Sequence, residues 1–422
     1  MGGSIQMKKL LAAALLACWP FFCGPVLAQD ENDVAAMVQE DLASGRLGEA
    51  DQRLSSMVAR TSDSADARLG LGFIRTARAF ETLVRSLYRY GFSPRSEGYE
   101  LIFGSRIDAI AWNPDPEPIT YDQFRGILST FIGNLDKADE VLAAVGDEPA
   151  KLKLDLSVIR FDWNGDGVLG PEDQFGRAVS DRDENGNPLP FVVGFDTADA
   201  KWLRGYSNLL RAAAKAWLSH DFSESWNSGF ALAFPRAVST MNAEAATGSD
   251  ETIFGLQKGQ ASDIADFISL IHTIRWPVVD EVMWNEVRGH LKEVIELNRE
   301  TWALIANEDD DDHEWLPGPK QKNGVLPALD VTEERIQAWL QVLSQFEAVL
   351  DGRLLVPHWR FDKGVNMAKV FDDPKPFDLV LWITGPAAVP YLENGATMAS
   401  GDWNQLTSIF GGNFMSYAFY FN

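Results

Sequence analysis

The residues with the clearest chemical spacing are Asp-Trp-Asn-Gly-Asp-Gly-Val-Leu-Gly-Pro-Glu-Asp at 162–173. Asp162, Asn164 and Asp166 set short oxygen-bearing side chains at positions 1, 3 and 5 of a twelve-residue loop. Val168 at position 7 offers its backbone carbonyl, and Asp173 at position 12 closes the set with a carboxylate. A hard cation such as Ca²⁺ takes roughly six to eight such oxygens at about 2.3–2.6 Å. Gly167 at position 6 allows the sharp backbone turn the loop requires, and Leu169 at position 8 is the apolar residue that packs beneath it. The expected ligands are therefore Asp162, Asn164, Asp166, Val168 and Asp173, and the expected cofactor is Ca²⁺. Gly170 at position 9 has no side chain, which leaves that ligand place to water. The competing reading of the same residues is an Asx-turn loop that satisfies its own backbone.

This pattern is EF-hand-type, and the aspartate at its closing position resembles dockerin-type and other extracellular loops. The shorter carboxylate implies weaker binding than a glutamate would give. A second cluster, Asp181 to Gly186, repeats the opening of such a loop. Its twelfth position is Val192, and Pro188 and Pro190 interrupt it, so a polar turn is expected there. The run Glu308 to Glu314, with Asp309–Asp312 and His313, could collect cations, but crowded like charges usually stay solvated and a mobile acidic loop is expected. Glu286, His290 and Glu293 share one helical face, which an exposed polar surface explains without a metal. No Gly-x-Ser-x-Gly elbow, His-Glu-x-x-His motif or phosphate loop occurs. A glycosidase needs two facing carboxylates and usually aromatic subsites. Acids and tryptophans abound, so that chemistry stays open, with Trp112 and Trp163 the tryptophans expected to be most exposed.

The elements that position these groups read as helices. Val34, Met37, Val38 and Leu42 recur at helical spacing, Gly45 breaks the chain, and Leu54, Met57 and Val58 continue a second helix. Asp63 or Ser64 caps a third, carrying Ala67, Leu71, Ile74, Ala77, Phe80, Leu83 and Leu87. This helical hairpin resembles a tetratricopeptide repeat over about forty residues, without a clean repeat further along. After the proline-rich run Asn113–Pro118, Thr120 and Gln123 form a capping box that starts a helix through Val145. Further helices are expected at Ala150–Phe161, leading into the ion loop, and at 196–218, Ile264–Ile274, Val278–Ile305 and Thr332–Leu350. Leu354–Phe361 and Phe377–Thr384 suit a small two-stranded element, and the aromatic tail Phe414–Phe421 is expected to pack back on the body. The chain is similar to a group of secreted bacterial proteins with a helical, tetratricopeptide-like start. The stretches that carry the likeness are Arg89–Gly91, Asn113–Tyr121, Trp202–Tyr206 and Phe377–Trp382. It implies an exported helical protein and brings no activity with it.

The fold class expected is predominantly all-α. The divisions are a signal peptide at 1–28, a repeat-like hairpin region at 29–119, a helical body at 120–350 and a small irregular or short-stranded region at 351–422. The signal reads from Lys8 and Lys9 through an apolar run to Val26-Leu27-Ala28, a cleavage pattern that would leave Gln29 first. Lipoprotein processing at Cys18 is the rival reading. Both cysteines, Cys18 and Cys23, lie within this segment, which excludes disulfides, thiol catalysis and Cys-bound zinc from the mature chain. Removing Lys8 and Lys9 from the formal charge of −24 leaves −26. Nucleic acid is therefore not an expected partner, and no later apolar segment anchors the mature chain in a membrane. A periplasmic or secreted, non-enzymatic Ca²⁺-binding or scaffold protein is expected, with a basic protein or peptide on a helical groove. The alternative is a Ca²⁺-stabilised hydrolase of a polysaccharide or cell-envelope substrate.

Overall fold

A computed structural model describes residues 33–61, 64–92, 112–244, 252–253, 256–308, 311, 313–321, 324–326, 329–398 and 400–422. The expected signal segment lies outside the described residues. The protein is predominantly helical with a few short strands. Helix α1 (Val34–Ser44) starts on Asp33, whose carboxylate accepts from Ala36 N–H, and stops at Gly45, whose φ of 65° is costly for any residue with a Cβ. Helix α2 (Leu47–Arg60) turns back, and α3 (Ala65–Arg89) begins on the Ser64 cap. Helix α4 (Tyr121–Ala143) opens with the Thr120/Gln123 capping box, both hydrogen bonds being present.

The chain then departs from the helical expectation. Residues 150–161 are not a helix: β1 (Lys151–Asp155) pairs antiparallel with β2 (Val192–Asp196), Lys151 opposite Asp196 and Asp155 opposite Val192. The cause is a period of two. Leu152 and Leu154 are buried while Lys151 and Lys153 face outward, an alternation that fits a pleated strand and no helix.

Asp196 caps α5 (Thr197–Leu218) by accepting from Ala198 N–H at 2.7 Å, with Asp199 closing a capping box. Short helix α6 (Ser223–Gly229) follows, then α7 (Lys258–Thr273), β3 (Arg275–Trp276), α8 (Glu281–Ile305, capped by Asp280) and α9 (Glu333–Leu350, capped by Thr332). Helix α3 packs on α4, α4 on α5, and α5 on α8, with α9 beside α8.

The last seventy residues hold more strands than expected. β4 (Val356–Pro357), β5 (Gly364–Val365) and β7 (Leu392–Glu393) form one small sheet, while β6 (Phe377–Asp378) pairs with β3. Helix α10 (Met367–Asp372) lies between β5 and β6. The expected strand after Phe377 turns into α11 (Leu379–Thr384), because Asp378 accepts from Leu381 N–H and caps a helical turn. Helices α12 (Ser400–Ser408) and α13 (Phe414–Phe421) end the chain. The aromatic tail does pack back: Tyr417, Tyr420 and Phe421 are buried in a core cluster that begins at Val34. Among the described residues no helix is long and apolar enough to cross a membrane.

Candidate functional site

The loop Asp162–Asp173 is pinned at its base by extended backbone rather than by two helices. Arg160 and Gln174 form an antiparallel bridge, Phe161 N–H donates to Asp173 O at 3.1 Å, and Phe175 N–H donates to Ile159 O at 3.3 Å. The expected entering helix is thus replaced by a strand and a turn. The exit does coil, through a 3-10 turn at Pro171–Asp173 and one helical turn at Gly176–Val179. Leu169 lies beneath the loop against Gly45: a Cβ at that glycine would come within 2.6 Å of the leucine Cδ1.

Inside the loop, successive Asx turns organise the oxygens. Gly167 N–H donates to Asp162 Oδ2 at 3.2 Å, Asp166 N–H to Asn164 Oδ1 at 3.0 Å and Val168 N–H to Asp166 Oδ1 at 2.7 Å. Gly165 and Gly167 take φ values of 75° and 74°, the left-handed region that glycine enters most cheaply. Asp162 Oδ1 is buried without a hydrogen-bond partner. Asp173 is buried and accepts from Gly170 N–H at 2.8 Å and Trp163 N–H at 3.4 Å. Arg85 reaches over from α3, donating to Asp162 O and, at 3.1 Å, to Asp162 Oδ2. Its neighbour Glu81 accepts from Asp162 N–H at 3.1 Å. Burial raises the Glu81 carboxyl above its ordinary range, against the opposing pull of Arg85.

The fit to a cation is therefore incomplete but chemically apt. Asp162 Oδ1, Asn164, Asp166 and the Val168 carbonyl are hard oxygens on one tight turn. Among the described residues no three acidic or histidine side chains close into a metal-holding group. Any site here depends on the amide, the carbonyl and water for the rest of its shell. The Arg85 guanidinium, 3.1 Å from Asp162 Oδ2, opposes a cation at this carboxylate.

The other acidic clusters resolve differently. Asp183 accepts from Asn185 N–H and Asn187 N–H at 2.9 and 2.8 Å, which makes the 181–187 stretch the expected polar turn. The acidic run is not simply a solvated loop: Glu314 is buried and bridges to Gly194 and Gly324, and His313 pairs with the Val192 carbonyl. Asp309, Asp310 and Asp312 lie outside the described residues. On α8, Glu286 and His290 both meet Lys215 of α5, at 2.8 and 2.9 Å, and Glu293 pairs with Arg204 at 3.3 Å. Those groups tie two helices together. Burial, then the nearby Lys215 and Arg211 charges, lowers the His290 pKa to about 4, so the ring is neutral.

The feature that sequence spacing concealed is an aromatic hollow of about 480 Å³ between the end of α5 and the C-terminal region. Its walls include Trp217, Trp276, Trp284, Phe377, Trp382 and Tyr391, with His220 and His358. Trp217 sits on an apolar helical stripe, so its spacing matches that of a core residue. Trp382 likewise sits in a short apolar run, Leu379 to Ile383, that reads as core. Trp163 is half-buried against Phe161, with ring centroids 4.4 Å apart. Trp112 is exposed, but Trp359, beside the hollow's His358, is more so at 77%. Among the described residues no carboxylate lines the hollow, so the paired acids of a glycosidase are not found among them.

No family model, curated protein or solved structure matches this chain.

Proposed function

We propose that this is an exported binding protein, without catalytic chemistry of its own, whose loop Asp162–Asp173 takes Ca²⁺ as a structural ion. The observation that carries the ion reading is Asp162: one carboxylate oxygen accepts from Gly167 N–H while the other is buried without a partner. A desolvated carboxylate oxygen is costly, and a hard divalent cation supplies the missing interaction. Asp162, Asn164, Asp166 and the Val168 carbonyl would hold the ion, with Asp173 closing the turn through Gly170 N–H. Arg85 and the short Asp173 side chain place affinity toward the weak extracellular range, about 10⁻⁴–10⁻³ M. The binding reading rests on an apolar hollow whose described lining residues are mostly aromatic and aliphatic. Export rests on the signal-like start of the sequence. It predicts Gln29 as the first residue of the secreted chain, and intact-mass measurement showing a lipidated Cys18 instead would overturn it.

Thermal unfolding tests the ion. Because Ca²⁺ favours the folded form, a hundredfold excess over Kd should add about 2.7 kcal/mol. The wild type should therefore melt several degrees higher in Ca²⁺ than in EDTA, with less gain in Mg²⁺. Asp166→Ala, whose exposed carboxylate bonds only within the loop, should lose that gain while melting normally in EDTA. An unchanged gain in Asp166→Ala would move the ion elsewhere. No gain in the wild type would leave an Asx-turn loop.

A further inference from the structure

We propose that the aromatic hollow is a binding site for an uncharged, largely apolar small molecule that carries a flat ring system and one hydroxyl or N–H group. The volume of about 480 Å³ lies within the usual range of small-molecule sites, about 300–1,000 Å³. Several of the aromatic walls are fixed by hydrogen bonds of their own polar atoms. Trp276 Nε1–H donates to Ser225 Oγ at 2.7 Å, and Trp284 Nε1–H donates to the Val370 carbonyl at 3.1 Å. Tyr391 Oη accepts from Lys375 N–H and donates to the Asp373 carbonyl, and its ring stacks on Trp382 at 5.7 Å with only 5° between planes. Indoles anchored in this way form a pre-organised surface, and aromatic faces reward a flat partner beyond area alone.

The polar requirement comes from two histidines. His358 is satisfied: it lies 3.0 Å from the Trp382 carbonyl through Nε2, and Nδ1 accepts from Arg360 N–H. His220 is not. Its Nδ1 lies 2.7 Å from the Ala216 carbonyl, which can only accept, so Nδ1 carries the proton and Nε2 has a lone pair. Burial lowers the His220 pKa and keeps the ring neutral. Nε2 makes no hydrogen bond among the described residues, so a ligand donor is its natural partner. A sugar would need many polar partners, and the lining supplies few. Among the described residues the one lysine or arginine at the hollow, Lys375, is paired with Asp373 at 2.6 Å, and the chain's formal charge of −24 opposes an anion. The site extends the binding reading above but is independent of the ion.

The test uses N-phenyl-1-naphthylamine, a neutral ringed fluorophore with one N–H, and pyrene, which has no donor. Both should bind the full chain saturably, one per molecule, with the emission change of an apolar site. Ala216→Phe, which fills the hollow from α5, should weaken both at least tenfold. His220→Phe should weaken the naphthylamine about tenfold and leave pyrene within twofold. Circular dichroism melts of each variant verify the fold, and the Ca²⁺ melting shift is recorded alongside, so that loss of the ion site and loss of the hollow are told apart. Absence of saturable binding by folded wild type would overturn the site, as would Ala216→Phe binding both probes unchanged. Equal losses of both probes in a folded His220→Phe would overturn the donor requirement. Stronger displacement by a long-chain alcohol than by a ringed alcohol would overturn the flat-ring assignment.

Discussion

Replacing Asn298 by Ala should lower the unfolding free energy by about 2–5 kcal/mol, since each buried group left unpaired costs roughly 1–3 kcal/mol. Asn298 is almost fully buried on α8. Its amide donates to the Phe421 carbonyl, and its Oδ1 accepts from Trp339 Nε1–H at 2.8 Å. One side chain thus ties α8, α9 and α13 together, and truncation orphans a carbonyl and an indole N–H at once. The surroundings leave little room to relax. Trp302 and Trp339 both pack on the Phe421 ring, Trp202 Nε1–H donates to the Tyr420 carbonyl at 3.0 Å, and Tyr206 Oη–H donates to the Phe419 carbonyl. A Cβ at Gly205 would come within 2.6 Å of the Asn422 amide, which donates to the Trp202 carbonyl. Urea unfolding of wild type and Asn298→Ala measures the loss. A change below about 0.5 kcal/mol, the range of ordinary surface substitutions, would show that the tail is not held through this residue.

That anchoring was partly legible in the sequence. The tail's aromatic run announced burial, and caps such as Ser64, Thr120 and Thr332 announced helix starts, because each signal is local: a side-chain oxygen reaches a backbone N–H three residues on. The error at Ala150–Phe161 has a different source. Lys151 to Leu156 alternates charge and leucine, a strand pattern, but its partner Val192–Asp196 lies some forty residues away, and pairing at that distance leaves no mark within a local window. The loop oxygens could be named from spacing, whereas Arg85 and Glu81 could not, since α3 brings them from about eighty residues upstream. The hollow was illegible for the same reason. Trp217, Trp284 and Trp382 each resemble core residues until β3 pairs with β6 and sets α11 opposite the end of α5.

Stability should also fall as pH rises from about 6.5 to 8.5, through a cluster of acids at the start of α5. Asp196 caps that helix, and Asp199 is buried beneath it, accepting from Asp196 N–H at 2.9 Å. Glu308 and Glu314 approach from the acidic run, and Gln321 donates to Glu308 Oε2 at 3.3 Å. Burial first, then the Asp196 charge and a carboxyl–carboxylate hydrogen bond to Asp196, pushes the Glu308 pKa up to about 8. Burial and the same neighbour also raise Asp199 well above its ordinary range. A group whose folded pKa exceeds its unfolded value holds its proton more tightly in the native state. Its contribution is complete below the unfolded pKa, near 4.5, and is lost as pH climbs through about 8. Two other shifted groups act mainly at lower pH. Burial raises Asp155 to about 6, which gives the same sign but is spent by neutrality, whereas neutral His290 destabilises the fold as pH drops from about 6.5 toward 4. The interval above 6.5 therefore reports on Glu308 together with the buried Asp199 of the same cluster. The full shift would cost roughly 2 kcal/mol across this interval, and because Glu308 is only half-buried water screens part of it, so the expected loss is roughly 1 kcal/mol. Chemical unfolding at pH 6.5 and 8.5 reads it directly. Glu308→Gln, which keeps a neutral side chain of the same shape, should flatten the slope and make the variant the more stable protein at pH 8.5. A wild type equally stable at both pH values, or a variant with the wild-type slope, would place the proton uptake on some other group.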